Sequence, residues 1–376
     1  MALSSAASRL TFRPELDGIR AIGVILVVAQ HWVPLPLPLG EASLTTFFVL
    51  SGYLITGIIW HQRAVVEAGL MSRGRALLLF YCRRALRILP AYYFTLFISF
   101  LLSLESVQQH LLWYTLHVSN ILFYQTQHWG EGAGHFWSLA VEEQFYCLWP
   151  LLLFFWPWRK LEGWLLAALI LGAFVFRPVW VRSAPLPFAF TLMPANMDAF
   201  AGGGLLRLIE NRLPKRWPGY GYIAAVGWSI WFGICLTRVV TQADWEYTFL
   251  VVGLGAAAIG AVGLIGWVLN TPYRLTQLIL LHPLVQWIGT RSYGLYLYHL
   301  LLVVVYQRAV YRLFPAGSST EAWRIYWMSP WRMALVLMPV LVLMAWASWR
   351  FLELPFNAMK RFFLYEKNPP AVKIDS

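Results

Sequence analysis

Apolar stretches of membrane-spanning length recur from Ile19 to Glu353, and no polar interval between them is large enough to form a soluble domain. Only 12% of the residues are charged while 59% are hydrophobic, too little charge to cover a water-soluble globule of 376 residues. The fold class that follows is all-α, a polytopic membrane protein in one integral domain.

Ten candidate spans run Ile19–Val33, Leu44–Trp60, Ile88–Leu104, Glu143–Trp158, Gly163–Trp180, Ala195–Ile209, Gly219–Val240, Thr248–Leu269, Tyr293–Leu313 and Trp331–Leu352. The shorter ones need their flanks or a tilt to cross. His110–Tyr124 is apolar but carries His110, His117 and Asn120, and is read as an interfacial or re-entrant piece on the outer side. With the amino terminus inside, most of the 29 lysines and arginines fall in inner loops, so both termini are expected to be cytoplasmic. The opening MALSSAASRLTFRPELDG lacks the apolar run and cleavage site of a removable signal, so the first span is expected to be retained. The expected organisation is a transmembrane domain over residues 13–355 and a short polar cytoplasmic tail over 356–376.

The formal charge of +12 is not accompanied by basic stretches interleaved with exposed aromatics, which argues against a nucleic-acid partner. Cys82, Cys147 and Cys235 have no paired spacing and suggest neither a disulfide frame nor a zinc site. HExxH and Walker patterns are missing, as is the Gly-x-Ser-x-Gly elbow of a serine acyl-enzyme. The glycines and alanines between Gly253 and Gly263 follow no strand and read as helix packing rather than a dinucleotide site.

The stretch Arg13–His31 leads from a charged, turn-prone entry into an apolar helix carrying one histidine. With the helix starting near Ile19, His31 lies roughly 18 Å in, past the middle of a hydrocarbon layer of about 30 Å. Arg20 and His31 are eleven positions apart, close to whole helical turns, and share a face. An ionisable group at that depth marks either a functional site or a histidine bonded to a neighbouring helix. Arg83, Arg84 and Arg87 stand at the inner surface before Pro90. Arg84 and Arg87 share a helical face suited to phosphate, or else anchor the helix at lipid headgroups. Glu142 and Glu143 enter from outside on the fourth span, which places Glu142 near the depth expected for His31. Asp198 enters from the same side and either joins them or serves its own helix terminus. Ser51-Gly52 reads as a close helix contact, His299 as a structural histidine bonded between helices, and Arg350 with Glu353 as an interfacial pair or anchors.

These residue types fit acyl transfer from a phosphate-bearing donor. Inner arginines hold phosphate, His31 acts as general base on an acceptor hydroxyl or carries the acyl group transiently, and Glu142 orients the imidazole. A transporter for acyl groups or glycans also uses buried ionisable groups, although no inverted hydropathy repeat is visible and the suspected groups cluster in the first four spans.

The motifs LDGIRAIGVILVVAQH, FFVLSGYLI from Phe47, RRALRILP from Arg83, WSLAVEEQFY from Trp137, MDAFAGGGLL from Met197, SYGLYLYH from Ser292 and FLELP from Phe351 occur in order along nearly the whole chain. In them the sequence resembles the acyltransferase-3 family of bacterial membrane O-acyltransferases. The resemblance implies ten transmembrane helices in the bacterial inner membrane and acetyl-coenzyme A, or another acyl-CoA such as a succinyl or longer donor, as a cytoplasmic co-substrate. It implies a carbohydrate or lipid-linked glycan as acceptor. It also implies Arg20 and His31 as the central pair, Arg84 and Arg87 with Arg83 at coenzyme A, and Glu142 as the family glutamate, with Glu143 one register away. Asp17, Ser51, Gly52, Trp137 and Asp198 are expected to support substrate or structure around them. Because some relatives append an esterase-like domain after further helices, a second activity of that kind is expected to lie on another protein.

Overall fold

The computed structural model describes residues 12–155, 162–183, 188–210, 212–214, 216–241, 246–270, 274–317 and 319–364. The opening segment before Phe12, the predicted end of the fourth span at Trp158 and tail residues 365–376 lie outside the described residues. Among the described residues there is no strand, and ten helices have thirteen residues or more. We label them α1 (Pro14–Trp32), α2 (Leu39–Glu67), α3 (Arg73–Leu101), α4 (Phe136–Phe155), α5 (Glu162–Ser183), α6 (Met197–Ile209), α7 (Gly219–Thr241), α8 (Leu254–Asn270), α9 (Ser292–Leu313) and α10 (Pro330–Ser348).

Five stretches are long and apolar enough to cross a membrane: Leu39–Glu67, Glu162–Trp180, Gly219–Thr237, Phe249–Asn270 and Pro330–Phe362. A sixth arises if Pro283–Thr290 and α9, which meet at 67°, count as one bent span. The chain is an all-α integral membrane protein. The α2 and Phe249–Asn270 windows are 78% and 72% buried by protein, against 17–22% for those of α5, α7 and α10. The first two therefore form the centre and the other three the periphery. On α5, Leu171, Val175 and Val179 project one above another, each more than half exposed, a stripe for lipid tails rather than water.

The connection between α2 and α3 differs from the long loop implied by one expected span ending at Trp60 and the next beginning at Ile88. Both flanking helices continue past the apolar core, α2 to Glu67 and α3 from Arg73, leaving a short turn. Gly69 closes α2 at a φ of +73°, and the Leu70 N–H reaches back to the Val65 carbonyl in a glycine-based C-cap. Ser72 then caps α3 through the Arg75 N–H at 3.3 Å. Hydrophobicity alone marks where a helix leaves lipid, whereas these caps mark where it ends.

His110–Tyr124 folds into one short helix, Leu111–Thr115, and most of a second, Ser119–Thr126, neither long enough to cross. His117 between them is buried and stacks on Tyr92 with ring centroids 4.2 Å apart. Burial pushes its imidazole down to about 4, so it is neutral at physiological pH.

Helix approach at the centre depends on glycine. A side chain at Gly52 would run into the Phe200 carbonyl of α6, and one at Gly203 into the Val49 carbonyl of α2. The Gly253–Gly263 stretch behaves likewise, with Gly260 and Gly263 against Gly227 and Ala224 of α7. Gly203→Ala should therefore destabilise the protein by about 1–3 kcal/mol. This would appear as a lower thermal unfolding midpoint in detergent, whereas Gly172→Ala on α5, which meets open space, should not lower it. Equal midpoints for the two variants would show that the α2–α6 contact does not depend on this close approach.

Candidate active site

Proline at the first turn, with Glu15 and Asp17 beside the helix N-terminus, starts α1 five residues before Ile19. His31 thus lies roughly 25 Å along α1 instead of 18 Å. It sits one residue from the C-terminal end of α1, not in its middle. Gln30 beside it accepts from the Gly40 N–H and donates to Glu41 across the turn into α2.

The partner of His31 is another histidine. His31 Nδ1 lies 2.8 Å from the Val27 carbonyl and 3.3 Å from His299 Nε2. A carbonyl only accepts, so Nδ1 carries the hydrogen and Nε2 keeps its lone pair. His31 is exposed, whereas His299 is fully buried. His299 in turn packs 4.9 Å, centroid to centroid, from buried His135, and the Trp32 indole donates to the His299 carbonyl at 3.1 Å. The carboxylate within electrostatic reach of His31 is Glu41 of α2.

Glu142 lies deeper. Its Oε1 accepts from Ser51 Oγ at 3.0 Å, and Ser51 is 2.9 Å from the Tyr146 hydroxyl. No hydrogen bond joins Glu142 to His31 among the described residues. His135, one residue before α4, marks the histidine level, and Glu142 is seven residues, or roughly 10 Å, further inward. The depth match expected from sequence fails because it placed His31 too deep. Adjacent Glu143 has a buried Oε1 with no hydrogen-bond partner.

At the N-terminal end of the same α1 face, Asp17 binds Arg20 at 2.6 Å. Arg87 is exposed and lies within electrostatic reach of Arg20 and Arg84, while Arg84 stacks over the Tyr146 ring at 5.0 Å. Neither Arg84 nor Arg87 forms an ion pair among the described residues. Glu142 lies within electrostatic reach of both Arg84 and Arg20, which ties the Ser51–Tyr146 network to the basic group. Arg83 points elsewhere, donating to the Lys360 and Phe363 carbonyls at 3.2 and 3.0 Å. It thereby binds the start of the tail, which is helical through Phe362 rather than loose. That contact brings Lys360 within reach of Arg84 and Arg87.

Other expected residues are structural in this arrangement. Asp198 does not join His31 or Glu142, and it does not cap its own helix. It forms a buried ion pair with Arg177 of α5, which also donates to the Ala195 carbonyl at 2.8 Å. Trp137 is buried edge-on against Phe48 and Phe190. Glu353 is turned inward by the π-helical turn Trp349–Glu353 and accepts from Ser348 at 3.2 Å, so its partner is not Arg350.

Glu41, His135, Tyr146 and Lys360 were not singled out by sequence. Tyr146 follows Glu142 by four residues, a same-face spacing, and Glu41 follows His31 across a short proline-rich turn, so both had a local signal. Lys360 and the His135–His299 contact depend on long-range packing and had none.

An acyltransferase-domain family model matches residues 13–350. The chain belongs to this acyltransferase family. It is 27% identical over 399 residues to the peptidoglycan O-acetyltransferase OatA of Listeria monocytogenes, covering 95% of this chain and 59% of that protein. It is 31% identical over 157 residues to the O-acetyltransferase OatA of Staphylococcus aureus, covering 38% of this chain and 25% of that protein. The chain thus spans well under two thirds of the length of these relatives. No solved structure matches it.

The buried Arg177–Asp198 pair generates a test of its own. Asp198→Leu leaves a guanidinium buried without its carboxylate and should cost about 3–5 kcal/mol of stability, while the double variant with Arg177→Met should recover most of it. A single variant as stable as the parent would return Asp198 to the list of site residues.

Proposed function

We propose that this protein is a bacterial inner-membrane O-acyltransferase that moves an acetyl group from cytoplasmic acetyl-coenzyme A to a hydroxyl of an envelope carbohydrate, free or lipid-linked. The observation that carries the proposal is the shared face of α1. It carries Arg20, ion-paired to Asp17 and within electrostatic reach of Arg87, at one end and an exposed histidine with a bare Nε2 at the other. The Listeria monocytogenes relative is a peptidoglycan O-acetyltransferase, which supports a carbohydrate acceptor. The proposal includes a ten-helix transmembrane unit over residues 13–355 set among membrane lipids, with both termini cytoplasmic and Arg20, Arg84 and Arg87 on the donor side.

In this scheme Arg84 and Arg87 hold the donor phosphates, since forked guanidiniums match phosphate oxygens. From Arg20 to His31 the helix covers roughly 16 Å, so the donor's long thiol arm, not the nucleotide, reaches the histidine. His31 Nε2 takes the proton of the acceptor hydroxyl as its oxygen attacks the thioester carbonyl carbon. The carbon–sulfur bond breaks, and the imidazolium returns the proton to the leaving thiolate. The products are the O-acyl ester and free coenzyme A. Ser51, Tyr146 and Glu142 hold α2, α4 and the arginines in register.

Purified protein given labelled acetyl-coenzyme A and a soluble glycan acceptor should release coenzyme A only when acceptor is present. His31→Gln should lower kcat by about 10²- to 10⁴-fold at normal protein level, the range for loss of a general base. Full turnover in that variant rules out His31. Arg84→Ala and Arg87→Ala should instead weaken donor binding by about 10- to 100-fold, the worth of one or two charge-assisted contacts. Unchanged donor affinity would make these arginines topological anchors.

A further inference from the structure

We propose that His299 is a positioning residue for His31: its buried Nε2 accepts the His31 Nδ1–H and so holds the lone pair of His31 Nε2 toward the outer mouth. The kinetic consequence rests on the acyl-transfer reading, but the geometric content does not.

The tautomers follow from the acceptors. His299 Nδ1 lies 2.6 Å from the Tyr296 carbonyl, so that nitrogen carries the hydrogen and Nε2 is bare. His31 Nδ1 carries a hydrogen toward the Val27 carbonyl, and the bare Nε2 of His299 stands 3.3 Å away as a second acceptor. The opposite tautomer of His31 would set its bare Nδ1 against two lone-pair donors at once. The Val27 carbonyl, which also serves the backbone ladder of α1, shares this hydrogen, and the His299 nitrogen is the acceptor supplied by a second helix. When His31 becomes an imidazolium, the same Nδ1–H contact persists and strengthens, the part a carboxylate plays in a hydrolase triad.

The scaffold keeps this acceptor in place. Trp32 donates to the His299 carbonyl, fixing α1 against α9 one residue after His31. On the far side of His299, His135 Nε2 is anchored to the Leu297 carbonyl at 3.1 Å. The Tyr296 hydroxyl is held by Ser138 at 2.5 Å and by the His135 carbonyl at 3.1 Å. The charged or titratable groups facing His31 are thus His299 from α9, His135 at the start of α4 and Glu41 from α2. Glu41 supplies charge at a distance, and His299 supplies the directed contact.

Two substitutions separate positioning from packing. His299→Gln can place its amide oxygen where Nε2 stands, whereas His299→Leu fills the volume without an acceptor. The Gln variant should keep kcat within about tenfold of the parent. The Leu variant should lose about 10²- to 10⁴-fold, comparable to an orienting triad residue, with the KM for acetyl-coenzyme A unchanged. In protein labelled with ¹⁵N-histidine in micelles, the His31 ring should show a single Nδ1–H tautomer in the parent and Gln variant and a mixture in the Leu variant. Should the Leu variant not fold, His299→Asn, polar but too short to reach His31, takes its place with the same expectation. Equal kcat in the Gln and acceptor-less variants, or a single unchanged His31 tautomer without the acceptor, overturns the proposal. If even the parent fails to turn over acetyl-coenzyme A, the tautomer measurement still decides it.

Discussion

Hydrocarbon supplies no hydrogen-bond partners, and that constraint sorts every polar group in this chain. Backbone groups are satisfied within helices. Several buried charges have closed partnerships: Arg63 with Glu162 and Arg177 with Asp198 as ion pairs, and Glu353 with the hydroxyl of Ser348, itself held by Tyr298. These closed pairs brace α2 against α5, α5 against α6, and α9 against α10. Against that background, the groups left open stand out. Among them are Arg84 and Arg87, which form no ion pair among the described residues, the accessible nitrogen of His31 and the unpaired oxygen of Glu143. In a medium that penalises each of them, an open group needs something to meet, and a substrate meets that need for a family whose chemistry passes an acyl group.

The helical architecture was legible because apolar run length and proline or glycine punctuation are local signals. Arg20 and His31 were legible as a pair because eleven residues bring a helix nearly back to the same bearing. The errors share one physical origin. Hydrophobicity reports where lipid begins, while proline, acidic first-turn residues and C-capping glycines report where a helix begins and ends. Taking Ile19 as the start of α1 placed His31 in the interior beside Glu142; taking Trp60 as the end of α2 produced a loop where two helices continue. Charged residues at 15–20 and 61–87 are helical despite their polarity.

What stayed hidden depends on contacts between distant segments. Nothing local to His299 says that it faces His31, since 268 residues separate them. Asp198 sits in a motif with small residues and looked available, yet Arg177, buried in an otherwise lipid-facing helix, claims it. An arginine in such a helix is costly enough to imply a buried carboxylate somewhere, and only the fold reveals which one. Spacing already put Arg84 and Arg87 on one face, but it did not say what Arg83 would meet. Phase on α3 separates the three, one bound to the tail's backbone and two left facing the basic group.

The rigid tie between Trp32 and the His299 carbonyl makes α1 a ruler. Its inner mark is Arg20 and its outer mark His31, and a helix cannot stretch between them. Inserting one residue would lengthen the gauge by only about 1.5 Å but would turn the outer mark about 100° away from the inner one. Reach and bearing are therefore specified together by a residue count. A donor of different arm length would call for a change in that count or in the tilt of α1, not for the remodelling of a surface loop.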